Sequence, residues 1–180
     1  MGVPATTEQA SLQPRIYVAC LAAYNNGYLH GAWLDTSEDQ WAMWEGITKM
    51  LATSPIPQAE EWAIHDHEGF GGVSIGECTG LSRIAEITGF LNEHGELGAA
   101  VLEHFNGDID EARDALEQRY LGCHASLADH VQELTEGSTA IPETLHYYID
   151  WEAMARDAEL NGEVFTIETG YQSVHIFAGY

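Results

Sequence analysis

His65, Asp66, His67 and Glu68 place two imidazoles and two carboxylates in a row, the donor types that bind zinc. In a strand, however, His65 and His67 share one face while Asp66 and Glu68 point to the other, so only two ligands converge. Asn106, Asp108 and Asp110, with Glu117 at the twelfth position, resemble a calcium loop. The sixth position of such a loop needs glycine and holds Glu111 here, and Asp108 is better used as a helix cap. Gly69, Gly71 and Gly72 lack the strand–turn–helix context of a phosphate loop, and no serine or cysteine sits in a nucleophile elbow. None of these patterns assembles a reaction centre or a metal or cofactor site.

The carboxylates as a set say more. The chain carries 29 Asp and Glu against six Lys and Arg, a formal net charge of -23. One acid falls in residues 1–14, eight acids and two bases in 15–71, ten and three in 72–122, and ten and one in 123–180. Such a surface repels nucleic acid and anionic membranes alike, so its partner is a basic groove or the counterions of concentrated salt. Disorder is excluded by composition: 45% of residues are hydrophobic, with five Trp, eight Tyr and five Phe. Three cysteines without a C-x-x-C pair fit a reducing, cytoplasmic setting, and no apolar run approaches the roughly 20 residues of a membrane span. The first 14 residues read as a flexible tail without a secretion signal.

Three modules can position these charges, an α+β chain overall. Residues 15–23 and 28–35 read as strands joined through a tight Asn25-Asn26-Gly27 turn. Ser37 and Gln40 form a capping-box pattern, followed by a helix to about Ala52 with Trp41, Trp44, Ile47, Thr48 and Leu51 on its buried stripe. A strand at 61–66 completes β-β-α-β over residues 15–71. Residues 72–122 predict a helical bundle: one helix from Leu81 to His94-Gly95, one over about 96–105, and a third capped by Asp108 and ended by Gly122, with Ile109, Ala112, Leu116 and Tyr120 inward. Residues 123–180 predict a second α+β module. It has helices over about 126–136 and 151–160 and strands at 163–168 and 173–178; the aromatic cluster of Tyr147, Tyr148, Trp151, Phe177 and Tyr180 reads as core, with a dimer patch as the alternative.

Three stretches carry a resemblance. They are Pro14 to Gly27, the segment Leu102 to Ala112 leading on to Tyr120-Leu121-Gly122, and Tyr148 to Asp157. In order and content they resemble the ArdA antirestriction proteins, the middle stretch resembling that family's antirestriction motif. The resemblance implies an elongated, curved homodimer that imitates bent B-form DNA. It further implies occupation of the DNA-binding channel of bacterial Type I restriction-modification enzymes, no catalysis, and carriage on plasmids and transposons.

Charge density agrees with that implication. Duplex DNA carries about one charge per 1.7 Å, so a dimer with twice the net charge of -23 matches roughly 78 Å of duplex, about 23 base pairs. We assign the partner-binding surface to Asp35, Glu38, Asp39, Glu45, Glu60 and Glu61 of the first module. Glu86, Glu93, Glu96, Glu103, Asp110, Glu111, Asp114 and Glu117 follow from the second, and Asp129, Glu133, Glu136, Asp157 and Glu159 from the third. On a helix a four-residue step advances about 6 Å, close to two phosphate steps of one strand. Asp110, Asp114 and Glu117 then share a face, as do Asp129, Glu133 and Glu136. Phe105 is the candidate dimer contact. The rival class is a salt-adapted acidic enzyme or a metal-binding protein with its site near His65 and His67.

Overall fold

The structure, a computed structural model, describes residues 12–37 and 39–179. It is an α+β fold, and the chain separates into two compact units, Met1–Ile109 and Asp110–Tyr180.

The first unit is built on β1 (Arg15–Cys20), which is central in a three-stranded antiparallel sheet of order β2-β1-β3. Its Ile16 and Val18 alternate inward with β-branched side chains, the pattern a half-covered sheet favours. β2 (Gly31–Asp35) pairs Tyr17 with Trp33, and β3 (Trp62–Glu68) pairs Ile16 with His67. The expected tight turn between the first strands is instead a short helix, α1 (Leu21–Asn25), followed by Gly27 at φ 82. The strand ends at Cys20 because the Cys20 sulfur caps this helix, accepting from the Ala23 amide at 3.5 Å. The strand expected from 28 begins only at Gly31.

α2 (Gln40–Ala52) is capped by Asp39, not by Ser37. The Asp39 carboxylate accepts from the Trp41 amide at 2.9 Å, while Ser37 only accepts from the Asp39 amide. The buried stripe is also displaced from the expected one. Met43, Ile47 and Met50 face the sheet, whereas Trp41 is 67% exposed and Trp44 is 44% exposed. Trp44 reaches sideways to Trp62 at a ring separation of 6.5 Å. The three-apart Trp41–Trp44 pair suggested an inward aromatic face, whereas Ile47 is buried as expected and the flexible methionines fill the rest of the helix's inner side.

α3 (Leu81–His104) completes this core with Ile84, Ile87, Phe90, Leu91, Val101 and Leu102. It is broken where the sequence placed a helix end, at Gly95 with φ 60 and ψ -145, a conformation open essentially to glycine alone. Of the expected flexible tail, residues 1–11 lie outside the described residues. Pro14 is buried, and its carbonyl accepts from the Thr36 amide and hydroxyl.

The second unit departs further from expectation. The third helix does not run to Leu121. α4 (Ile109–Asp114) passes into a π-helical turn, Ala115–Arg119, and then into β4 (Tyr120–His124), a strand the sequence reading did not anticipate. Gly122, expected as a helix cap, sits within this strand at φ 134, and Tyr120, expected inward on a helix, is on its exposed side. β4 joins the closing hairpin, β5 (Val164–Gly170) and β6 (Ser173–Ala178), in order β4-β6-β5. Across the hairpin Phe165 stacks on Phe177 at 4.9 Å. α5 (Leu127–Ser138) starts at its Ser126 cap and runs past Gly137, and α6 (Trp151–Leu160) starts at Asp150 and ends at Asn161 as read. Among the described residues of this unit only Phe177 and Ile176 are large and fully buried; Ala112, Ala115, Ala128 and Ala155 make up much of the remaining core. Tyr147 and Tyr148, expected as core, lie on a short 3₁₀ turn (Glu143–Tyr148) and are 93% and 84% exposed. Tyr180 lies outside the described residues.

Candidate functional site

Every described Asp and Glu is exposed. The fold buries none of them, so each described carboxylate stays in contact with solvent. Asp35 ends β2, Asp39 caps α2 and Glu45 lies on α2. Glu60 and Glu61 precede β3, and Glu86, Glu93, Glu96 and Glu103 project from α3. Asp110, Glu111 and Asp114 occupy α4 and Glu117 the π turn. Asp129, Glu133 and Glu136 lie on α5, and Asp157 and Glu159 on α6. Glu38 lies outside the described residues. Asp66, Glu68, Glu77, Asp108, Glu143, Asp150, Glu152, Glu163 and Glu168 are exposed in the same way although the sequence reading left them out. The signal that would have found them was the charge excess itself.

The acids differ in what already neutralises them. In the 110–117 stretch the fold supplies its own cations: Arg113 stands 3.9 Å from Glu117, and Arg119 lies 3.0 Å from Asp114 and 3.5 Å from Glu111. Arg119 is 8% exposed, and its guanidinium lies over the Phe165 ring at 5.8 Å. A buried guanidinium needs compensating carboxylates beside it, and these two serve that need. Arg15 pairs with Glu68, and Arg83 with Glu86 at 3.1 Å. On α5 the situation is different. Asp129 accepts from the Ser126 hydroxyl at 2.8 Å, Glu136 accepts from the Gln132 amide at 2.9 Å, and Glu133 stands 3.6 Å from the His124 imidazole. The His146 imidazole also stands 3.5 Å from Glu136, so this acidic row meets a hydroxyl, an amide and two imidazoles, with no lysine or arginine among these contacts.

The histidines of the sequence motif find aromatic neighbours. His65 sits edge-on to Tyr24 at 5.0 Å, and His67 lies 5.9 Å from Phe70. Among the described residues no group of three or more His, Cys, Asp or Glu side chains is arranged to hold a metal ion. Phe105 is half-buried behind the end of α3, edge-on to His104 at 4.9 Å. Cys78 and Cys123 are exposed thiols, and Cys20 is buried. Among the described residues no helix is long and apolar enough to cross a membrane.

Perturbed ionisation falls in the second unit. Burial pushes the His175 imidazole below its ordinary value; its Nδ1 meets the Tyr120 hydroxyl at 2.9 Å and its Nε2 the Thr169 hydroxyl at 3.0 Å. Burial, and then the neighbouring Cys123, push the Tyr120 phenol upward. Burial and then His124 lower the His130 imidazole, against a raising influence of Glu133. Tyr120 and His175 hydrogen-bond to each other across the sheet, and His130 Nδ1 meets His124 Nε2 at 3.2 Å between α5 and the end of β4.

A comparison with curated proteins finds no match. The family model described as antirestriction protein (ArdA) matches residues 16–173, from the first strand to the closing hairpin. With that span covering most of the 180 residues, the chain belongs to the ArdA antirestriction family.

Proposed function

We propose that this chain inhibits restriction by imitating duplex DNA and occupying the DNA-binding channel of a bacterial Type I restriction-modification enzyme. The observation that carries this reading is that every described carboxylate is exposed, on both units, while the chain holds only six lysines and arginines. A DNA-binding channel is lined with Lys and Arg, and it exchanges its own counterions for whichever polyanion fits. Each of the three sequence modules contributes carboxylates, and a homodimer with Phe105 at or near its contact doubles the charge to match a bipartite DNA site. Inhibition is by occupancy, without a catalytic step, in the cytoplasm of a bacterium carrying a plasmid or transposon. Modification by the same enzyme, which uses the same channel, falls with restriction.

The test is cleavage of unmodified DNA by a purified Type I enzyme at fixed DNA and rising inhibitor. Cleavage should fall stoichiometrically with the chain, and inhibition should weaken as salt rises, since exposed charges are screened within about 8–10 Å at physiological salt. Unchanged cleavage at a large molar excess of folded chain would overturn the reading.

A further inference from the structure

We propose that the cleft between α2 and the segment of residues 54–60, in the first unit, is a slot for an arginine side chain of a protein partner. The cleft encloses about 590 Å³, within the size range of built binding sites. It is lined by Trp44, Thr48 and Leu51 of α2 and by Ile56, Pro57 and Glu60 of the segment that leads into β3. Its walls are set by the fold. The Ser54 hydroxyl accepts from the Ile56 amide at 3.2 Å and meets the Cys20 sulfur at 3.4 Å, and the His30 imidazole meets the Met50 carbonyl near the end of α2 at 2.7 Å. Pro55 and Pro57 stiffen the segment, and Gln58 turns it in the left-handed region at φ 61. Trp62 braces the Trp44 indole at a ring separation of 6.5 Å, yet Trp44 keeps 44% of its surface open where it lines the cleft.

The lining selects its occupant. An arginine side chain joins an apolar stem to a planar cation. Leu51, Ile56 and Pro57 suit the stem, while the indole of Trp44 and the carboxylate of Glu60 suit the guanidinium. Charge complementarity points the same way, since residues 38–61 hold five acids and a single base, Lys49. The fold already uses this pairing for its own arginines: the Arg15 guanidinium lies 5.1 Å over the Trp33 ring and that of Arg119 lies 5.8 Å over Phe165. Lysine, a point charge that does not stack, gains less there. A DNA phosphate offers an arginine no apolar or aromatic wall, so the slot gives this chain a contact that the imitated duplex lacks. That the partner is a restriction enzyme rests on the function proposed above, whereas the preference for a guanidinium does not.

The experiment titrates the full chain with Nα-acetyl-arginine amide at constant ionic strength and follows the tryptophan indole N–H resonances by NMR. The Trp44 resonance should move saturably while those of Trp33 and Trp151 stay in place. Guanidinium ion, which lacks the stem, and Nα-acetyl-norleucine amide, which lacks the charge, should each bind more weakly by about threefold or more. Trp44→Leu keeps an apolar side chain and the net charge, and should raise the half-inhibitory concentration in a restriction assay by about fivefold or more. Equal binding of guanidinium ion would mean a bare charge effect, and equal binding of the norleucine amide an unselective apolar groove. A Trp44 resonance that moves with protein concentration and not with the probe would give the cleft to a second copy of the chain. Each of these outcomes overturns the proposal, as does wild-type inhibition by folded Trp44→Leu. The probe titration needs no restriction enzyme, so its failure is separate from failure of the functional reading, and the wild-type resonances decide the question even where the variant does not fold.

Discussion

Arg119 shows how a single residue changes its meaning between sequence and structure. Along the chain it is one of three bases among ten acids in residues 72–122, a minor offset to the charge. In the fold it is buried over Phe165 with Asp114 and Glu111 beside it, anchoring the π turn to the closing sheet. Arg119→Ala should destabilise the second unit by about 2–3 kcal/mol through lost packing and unpaired carboxylates, read as a lower urea midpoint. Arg119→Met, which keeps the stem, should lose less. The caps at Ser126 and Asp150 were legible because a cap is decided within four residues. The partners of Arg119 were not, because Phe165 reaches it only through the sheet. His175 gives a pH prediction of definite sign. Its folded value lies below the ordinary imidazole pKa of about 6.5, so its contribution is present above that value and is lost as pH falls toward and through the lowered one. The urea midpoint of the wild type should therefore fall relative to that of His175→Gln between neutral pH and about pH 5.5, the window below the ordinary imidazole value. An unchanged difference would contradict the assignment.

At the scale of elements, the segments with strong local signals came out where the sequence placed them. α6, β5 and β6 follow their caps and alternation closely, and the break in α3 coincides with Gly95. No heavy atom beyond Gly95's immediate surroundings lies within 4 Å of an added Cβ, so any penalty for a side chain there is purely conformational. Gly95→Ala should cost about 1–3 kcal/mol of stability in thermal or urea unfolding, although it improves intrinsic helix propensity. The elements that were misread depended on tertiary contacts. Residues 115–121 have helix-compatible spacing, yet pairing with β6 draws Tyr120–His124 into a strand, Tyr120 opposite Phe177 and Cys123 opposite His175. On α2 the expected inward stripe keeps only Ile47 fully buried; Met43 and Met50 take the rest of the inner face and leave Trp41 and Trp44 at the surface.

Over the whole molecule, the exposure of the described carboxylates was the feature most legible in sequence, because it follows from the cost of burying them. Which acids are already neutralised was not legible, since that depends on where Arg113 and Arg119 fold. A distributed surface makes single charges nearly dispensable. Glu133→Gln should change the half-inhibitory concentration in a restriction assay by less than about fivefold, an exposed pair being worth ~0–1 kcal/mol. Converting about eight acids to amides across α3, α5 and α6 should abolish inhibition while circular dichroism stays unchanged, because polyanion affinity scales with the number of charges engaged. The mimicry itself is tested most directly by direct competition: duplex DNA bound to a purified Type I enzyme, titrated with this chain and followed by fluorescence anisotropy of the DNA. The account predicts that the apparent Kd for DNA rises in proportion to the concentration of the chain, without limit and without a ternary complex. A plateau in that rise, or a complex holding enzyme, DNA and this protein together, would contradict it.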